Sequence, residues 1–347
     1  RLIHRVPTEE VSLPQLQNAG GSPADDSTTN LKSGRVLHMP VEGVTQAAVE
    51  SFAADVDALI ANITNVVVTS DTTVRLTLLG LFAKGHVLLE DLPGVGKTLI
   101  SKTIAQSIQC DFKRIQFTPD LLPSDITGTS VFDMKDSKFE FLPGPIFSNI
   151  VLADEINRTG PRTQSALLEA MAEYQVTVEG ESRKLPSPFL VIATQNMAES
   201  HGAFPLPESQ LDRFLVSLGM GMPGPEDEAE ILARSQGGMP EADVVMTEER
   251  VRQMQDVVSG VEVSSPVRQY MVNVIQATRI ADGVQFGVSP RGGAALQRAS
   301  QGWAAFNGRN YVDPSDVKAV APYVLPHRIT LGAGAALRAD QVVASIL

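Results

Sequence analysis

Residues 85–109 read GHVLLEDLPGVGKTLISKTIAQSIQ, and three kinds of residue succeed one another in them. Val87, Leu88 and Leu89 are a short apolar run bounded by turn residues, the pattern of a strand buried on both faces. Pro93, Gly94, Val95 and Gly96 then make a glycine-bearing turn. Lys97 and Thr98 open a segment whose apolar residues, Leu99, Ile104, Ala105 and Ile108, recur at helical spacing. Strand, glycine turn and helix in that order are what a phosphate-binding loop requires. Glycines let backbone N–H groups curl around phosphate oxygens, and the helix start presents a partial positive charge of roughly half a unit. In such a loop the run from Pro93 to Leu99 cradles the phosphates, the Lys97 ammonium reaches two of them, and the Thr98 hydroxyl ligates magnesium. Two acids complicate the picture. Glu90 and Asp91 set carboxylates beside a site for a polyanion, and Asp91 stands where the strict pattern has glycine.

Outward from this stretch, strands and helices alternate. Val44 to Ile63 carries apolar residues at helical spacing, and a second helix is expected from Asp71 or Thr72 through Leu76, Leu79 and Phe82. Phe112, Ile115 and Phe117 mark a strand, as do Ile150 to Ala153, Phe189 to Ala193 and Phe214 to Leu218. A helix runs through Leu167, Leu168 and Met171 between two of them. Polar, short-period stretches at Val131 to Phe141 and Tyr174 to Leu185 read as hairpins, the second turning near Glu179 and Gly180. This alternation predicts an α/β fold, a parallel sheet covered by helices on both faces.

Three glycines and two prolines between Gly219 and Pro225 break the pattern. Beyond them helical segments dominate: Glu226 to Ala233, Thr247 to Val258, Pro266 to Ile280, Pro290 to Phe306 and Pro314 to Val324. Ser265, Ser289 and Asp313 precede prolines with N-cap character. The expected organisation is a flexible or loosely docked arm over 1–38, an α/β core over 39–222 and an all-helical second domain over 223–347.

The net charge of −12 disfavours general nucleic-acid binding, because most of the surface repels a phosphate backbone. One cysteine, Cys110, excludes an intrachain disulfide and suits a reducing cytoplasm. Five scattered histidines give no metal-ligand cluster, and no stretch reaches the roughly 20 apolar residues of a membrane span.

The remaining chemistry gathers at strand ends. Asp154 and Glu155 follow directly on an apolar strand, at the edge where ligands bind in open α/β sheets. There Asp154 would hold magnesium through water and Glu155 would orient or deprotonate an attacking water. Asn196, ending the next strand, either positions that water from between the acid-bearing strands or caps a turn. Arg291 lies in the first turn of a helix, where a cation is unfavourable unless a phosphate neutralises it. Arg213 precedes a strand with only Asp212 as a local partner, so an ion pair between those two is the plain alternative to a phosphate contact.

The order LPGVGKT, VLADEIN, ATQN, LDRF and SPRGG resembles the AAA+ ATPases. The longer strings GPIFSNIVLADEINR, QSALLEAMAEYQVTV and PLPESQLDRF resemble their MoxR branch, and the likeness spans about residues 42 to 331. The resemblance implies a P-loop ATPase core with a helical lid that hydrolyses ATP with Mg2+. Lys97 and Thr98 then form the Walker A pair, Asp154 and Glu155 the Walker B pair, and Asn196 is sensor 1. It further implies that Arg213 is the arginine finger for a neighbouring subunit, with Arg158 and Arg162 as alternatives, and that Arg291 is sensor 2. A homo-oligomeric ring, usually of six, is implied, with two insert hairpins lining or rimming it and partners carrying a von Willebrand factor A domain. A nucleotide-gated scaffold with little turnover, or a chelatase-like motor subunit, are the competing readings. Thr69 and Ser70 stand where many relatives have glycine and glutamine beside the adenine, which leaves the base contact open.

Overall fold

A computed structural model describes residues 43–90, 94–195, 204–238 and 240–347. The arm expected over 1–38, and with it Asp91, Pro93 and Asn196, lies outside the described residues. Helix α1 (Gln46–Val66) starts on Thr45, whose hydroxyl accepts from the Ala48 N–H, and it buries Val49, Phe52, Val56, Leu59 and Ile63 on one face. Ser70 caps α2 (Asp71–Phe82) in the same way through the Thr73 N–H. The expected alternation then follows as β1 (Val87–Glu90), α3 (Lys97–Ser107), β2 (Phe112–Gln116), the short α4 (Pro123–Thr127), and a hairpin of β3 (Gly128–Asp133) and β4 (Lys138–Pro143). Next come β5 (Ile150–Asp154), α5 (Pro161–Glu173), a second hairpin of β6 (Gln175–Val178) and β7 (Glu181–Lys184), β8 (Leu190–Gln195), α6 (Glu208–Leu211) and β9 (Val216–Leu218).

Five of these strands form one sheet in the order β2-β5-β8-β1-β9, every pair parallel. The uninterrupted apolar runs are explained by which way alternate residues point. Val87, Leu89, Ile150, Leu152, Leu190 and Ile192 belong to the core under α1, α2 and α3. Leu88, Val151, Ala153, Val191 and Ala193 belong to a second core with Leu167, Leu168 and Met171 of α5. Both faces are therefore dry, and each such leucine or isoleucine contributes roughly 1.5–3 kcal/mol by burial.

The chain continues through α7 (Pro225–Gly237), α8 (Glu248–Gly260), α9 (Ser265–Ile280), β10 (Val284–Phe286), α10 (Pro290–Phe306), α11 (Pro314–Val324), β11 (Thr330–Leu331) and α12 (Ala339–Ile346). Ser289 and Asp313 cap α10 and α11 as expected, whereas the N-cap position of α9 is Ser264, which makes no side-chain capping hydrogen bond, and Ser265 is the first residue of the helix. Besides the short α4 and α6 of the core, the sequence did not foresee α12 or an antiparallel ladder joining β10 to β11 in an otherwise helical region. Packing is continuous from sheet to helices. Gly302 of α10 lies so close to α2 that a Cβ there would come within 2.4 Å of Leu79 Cδ1.

Both expected hairpins are present, and they brace one another. Ser130 Oγ donates to Glu179 Oε2 at 2.6 Å, and the Arg183 guanidinium lies 4.0 Å from the centre of the Phe141 ring. The first hairpin exposes Phe132, Met134 and Phe139, with Met134 87% accessible.

Where β1 begins, His86 is 2% exposed, with its Nδ1 accepting from the Val191 N–H at 3.0 Å and Nε2 3.0 Å from the Met171 carbonyl. Burial pushes its pKa down to about 4; burial, then the Arg328 charge, holds His327 well below its ordinary value. The folded chain keeps both rings neutral while the unfolded chain takes up protons below about pH 6.5. The contribution of these rings to stability is therefore level above that pH and falls as the pH drops towards 4, by roughly 2 kcal/mol at pH 5 for His86 alone. Urea unfolding at pH 7 and pH 5 measures this, and an unchanged midpoint would contradict it.

Candidate active site

The parallel register brings the polar ends of four strands to one edge, since Gln116 pairs with Asp154 and Glu90 with Gln195. Facing that edge is the start of α3. Gly94 and Gly96 have φ of 89° and 93°, the left-handed region that glycine enters without steric cost. Gly96 is the N-cap of α3 and has no side chain to cover the first turn, so the helix start stays open to an anion.

A cleft of about 630 Å³ lies here. Gly94, Val95, Gly96, Lys97, Thr98 and Leu99 line one side of it, and Asp154 and Glu155 line another. Val66, Val67, Val68, Met220, Met222 and Ile231 supply apolar surface suited to a flat base, with Thr69 and Ser70 beside them. Thr98 and Asp154 are hard oxygen donors in the same cleft. Among the described residues no three His, Cys, Asp or Glu side chains converge on a metal site. An ion held there would share its ligands with phosphate and water, which suits Mg2+.

The two acids are set by one hydroxyl. Thr194 Oγ1 donates to Asp154 Oδ1 at 2.6 Å and accepts from the Glu155 N–H at 2.8 Å. Glu155 itself has φ 58° and ψ 50°, a left-handed conformation that costs a non-glycine residue roughly 1–2 kcal/mol and turns the chain sharply off the end of β5. Three cations or amides engage the acids in turn. Arg114 donates to Asp154 Oδ2 from Nε at 3.1 Å and Nη2 at 2.5 Å, while Gln116 Nε2 and Arg158 Nη1 donate to Glu155 Oε2 at 3.0 and 2.9 Å. The other nearby acid, Glu90, accepts from Ser217 Oγ at 2.6 Å.

Arg158, one alternative for a finger in trans, is thus tied to Glu155 of its own chain, and Arg162 is exposed in the first turn of α5. Neither Arg213 nor Arg291 lines the cleft. Arg213 donates from Nη1 to the Leu168 carbonyl, and the Asp212–Arg213 ion pair expected as the plain alternative does not form: Asp212 pairs with Arg328 instead, at 2.8 Å. Arg291 is exposed at the start of α10. Sequence reading overlooked Arg114, Thr194 and Arg234. Arg234 of α7 reaches the Asn65 carbonyl at 2.8 Å and closes one side of the cleft. Only the adjacent cations Lys113 and Arg114 within the short strand β2 hinted at the latter.

A parallel sheet carrying a helix-start phosphate loop opposite paired strand-end acids defines the P-loop ATPases of the AAA class. The family described as "ATPase family associated with various cellular activities (AAA)" matches residues 86–216, and the AAA lid domain matches residues 276–346. Uncharacterized protein YeaC of Bacillus subtilis is 50% identical over 277 residues, covering 78% of this chain and 87% of YeaC. Chaperone MoxR1 of Mycobacterium tuberculosis is 40% identical over 328 residues, covering 91% of this chain and 87% of that protein. The crystal structure of a candidate ATPase from Cytophaga hutchinsonii superposes with a TM-score of 0.82 at 36% identity, over 87% of this chain and 96% of that one. The chain belongs to the MoxR family of AAA+ ATPases.

Because one buried hydroxyl serves both acids, Thr194→Val orphans the Asp154 Oδ1 and the Glu155 N–H together. The expected loss is about 1–3 kcal/mol of stability. Nucleotide turnover is expected to fall at least tenfold while nucleotide binding changes far less. Turnover equal to wild type would show that the acids are positioned without it.

Proposed function

We propose that the chain is a magnesium-dependent ATP hydrolase that assembles into a ring, six-membered as its family resemblance implies. It couples hydrolysis to remodelling or maturation of a partner protein carrying a von Willebrand factor A domain. One observation carries the reading: a helix start bearing Lys97 and Thr98 shares a cleft with two acids that a single hydroxyl orients. In this reading residues 39–222 act as the ATPase core and 223–347 as the lid.

Lys97 and the α3 N-terminus hold the transferred phosphate, with Pro93 completing the loop. Thr98 and Asp154 would hold Mg2+, which when bound neutralises charge on the phosphate oxygens. Glu155 orients the attacking water and takes up its proton. Asn196 follows the last residue of β8, the strand between β5 and β1, and helps place that water. Arg213 lies away from its own cleft and serves as the finger for a neighbour's γ-phosphate, a contribution of roughly 10³–10⁵ in rate. Arg291 is assigned the lid contact to phosphate. The name Chaperone MoxR1 of a relative supports a remodelling role, and the exposed Phe132, Met134 and Phe139 are suited to gripping a client.

Glu155→Gln tests this. ATP binding should stay within a few-fold of wild type while turnover drops by about 10²- to 10⁴-fold. The ATP-loaded variant should also retain a von Willebrand factor A domain protein on a column. Undiminished turnover would refute the catalytic assignment, and a wild-type chain that assembles with ATP yet does not hydrolyse it would favour the scaffold.

A further inference from the structure

The strongest unassigned constellation lies where the lid meets the segment bearing Arg213. Arg328, in the turn Pro326–Arg328 after α11, has only 2% of its side chain exposed. Its Nε donates to Asp212 Oδ1 at 2.8 Å, and its Nη2 donates to the Asp212 carbonyl at 3.3 Å and to the Phe214 carbonyl. Those two carbonyls flank residue 213. The second Asp212 oxygen accepts from Ser289 Oγ at 2.9 Å, and Ser289 is the N-cap of α10, two residues before Arg291. Arg328 reaches Asp212 by passing beneath the first turn of α10, where the adjoining position is glycine. A Cβ on Gly292 would stand 2.8 Å from Arg328 Cδ and 2.6 Å from Val288 Cγ1.

Arg213 is itself lightly restrained. Among the described residues its side chain makes one hydrogen bond, from Nη1 to Leu168 O, and its buried Nε has no partner, while its backbone N–H donates to the Gln210 carbonyl at 3.2 Å. Its direction is therefore set mainly by its backbone, and that backbone is clamped on both sides by one guanidinium from the lid. Burial lowers the Arg328 pKa to about 10 against the opposing pull of Asp212, so the clamp remains a cation at neutral pH.

We propose that Arg328 is a positioning residue for hydrolysis in the neighbouring subunit: it fixes the Asp212–Phe214 backbone to the lid and so aims Arg213 across the subunit boundary. This rests on the reading of Arg213 as a finger acting in trans. It makes lid placement in one subunit a determinant of turnover in the next.

Mixed assemblies test it. Glu155→Gln chains supply a finger but cannot hydrolyse, and Arg213→Ala chains hydrolyse only with a finger from a neighbour, so mixing the two should recover turnover that neither has alone. Arg328→Lys keeps the charge but cannot serve the Asp212 carboxylate and both carbonyls at once. Placed in the Glu155→Gln donor, it should cut the recovered turnover by roughly tenfold to a hundredfold. Placed in the Arg213→Ala recipient, it should leave the recovered turnover and its KM for ATP unchanged. Asp212→Asn in the donor should reproduce the loss, which guards against a fault peculiar to the lysine variant. Loss on the recipient side, equal loss on both sides, or no loss on either overturns the proposal. Failure of the parent mixture to recover any turnover overturns the trans reading on which it stands.

Discussion

The geometry of this molecule follows from one constraint: in an all-parallel sheet every strand must end at the same edge. The crossovers return each strand to its start on the far side, so apolar runs stop together and the next residues meet water together. Glu90, Gln116, Asp154 and Gln195 fall in line because the register demands it. A slip of one residue in β5 would carry Asp154 into the dry interior and send Val151 and Ala153 to the opposite face. Burial of the apolar runs and alignment of the polar ends are therefore one and the same selection of register. The left-handed turn at Glu155 is where the chain leaves that edge, and Thr194, one strand away, supplies the hydroxyl that holds the turn.

Exposure separates the ion pairs of this chain into two kinds. Arg114, which covers Asp154, has 48% of its side chain exposed, and exposed pairs contribute about 0–1 kcal/mol. An incoming cation or phosphate can displace it at small cost, so it neutralises Asp154 without blocking a ligand. Arg328 and Asp212 are 2% and 16% exposed, and breaking a buried pair by removing one partner costs roughly 3–5 kcal/mol. That pair does not exchange partners in ordinary motion. The exposed pair yields to ligand, whereas the buried pair transmits position.

What sequence could disclose was whatever repeats or clusters locally. The phosphate loop is contiguous, and the strands of the sheet declare themselves because burial on both faces leaves no polar residue in Val87 to Leu89 or Ile150 to Ala153. Thr194 was hidden for the converse reason: a threonine ending an apolar run reads as an ordinary strand former, and its two partners sit 40 and 39 residues away. Asp212 was misread because its nearest cation in sequence is Arg213, whereas its partner lies 116 residues on. The β10–β11 ladder is missed for a related reason. A strand of two or three residues carries too little periodicity to register, and only its partner far along the chain makes it one.

The linker read as a mere break in the pattern, Gly219 to Pro225, proves to be part of the site. Met220, Gly221, Met222 and Pro223 line the cleft directly, and Gly221 takes φ 75° to do so. From the same side α7 contributes Asp227, Ile231 and Arg234, the last anchored to the carbonyl of Asn65 near the end of α1. A ligand between the phosphate loop and this linker touches both the loop that follows β1 and the segment that joins β9 to the helical region. Its binding energy is therefore partitioned between core contacts and contacts to the first element beyond the sheet. Only the second share depends on where that element stands, and by linkage only that share can bias its position. On the far side of the helical region, α10 and the residues flanking the Arg328 turn, Leu325 and Ile329, share one core, and Arg328 ties that core to the backbone on both sides of Arg213.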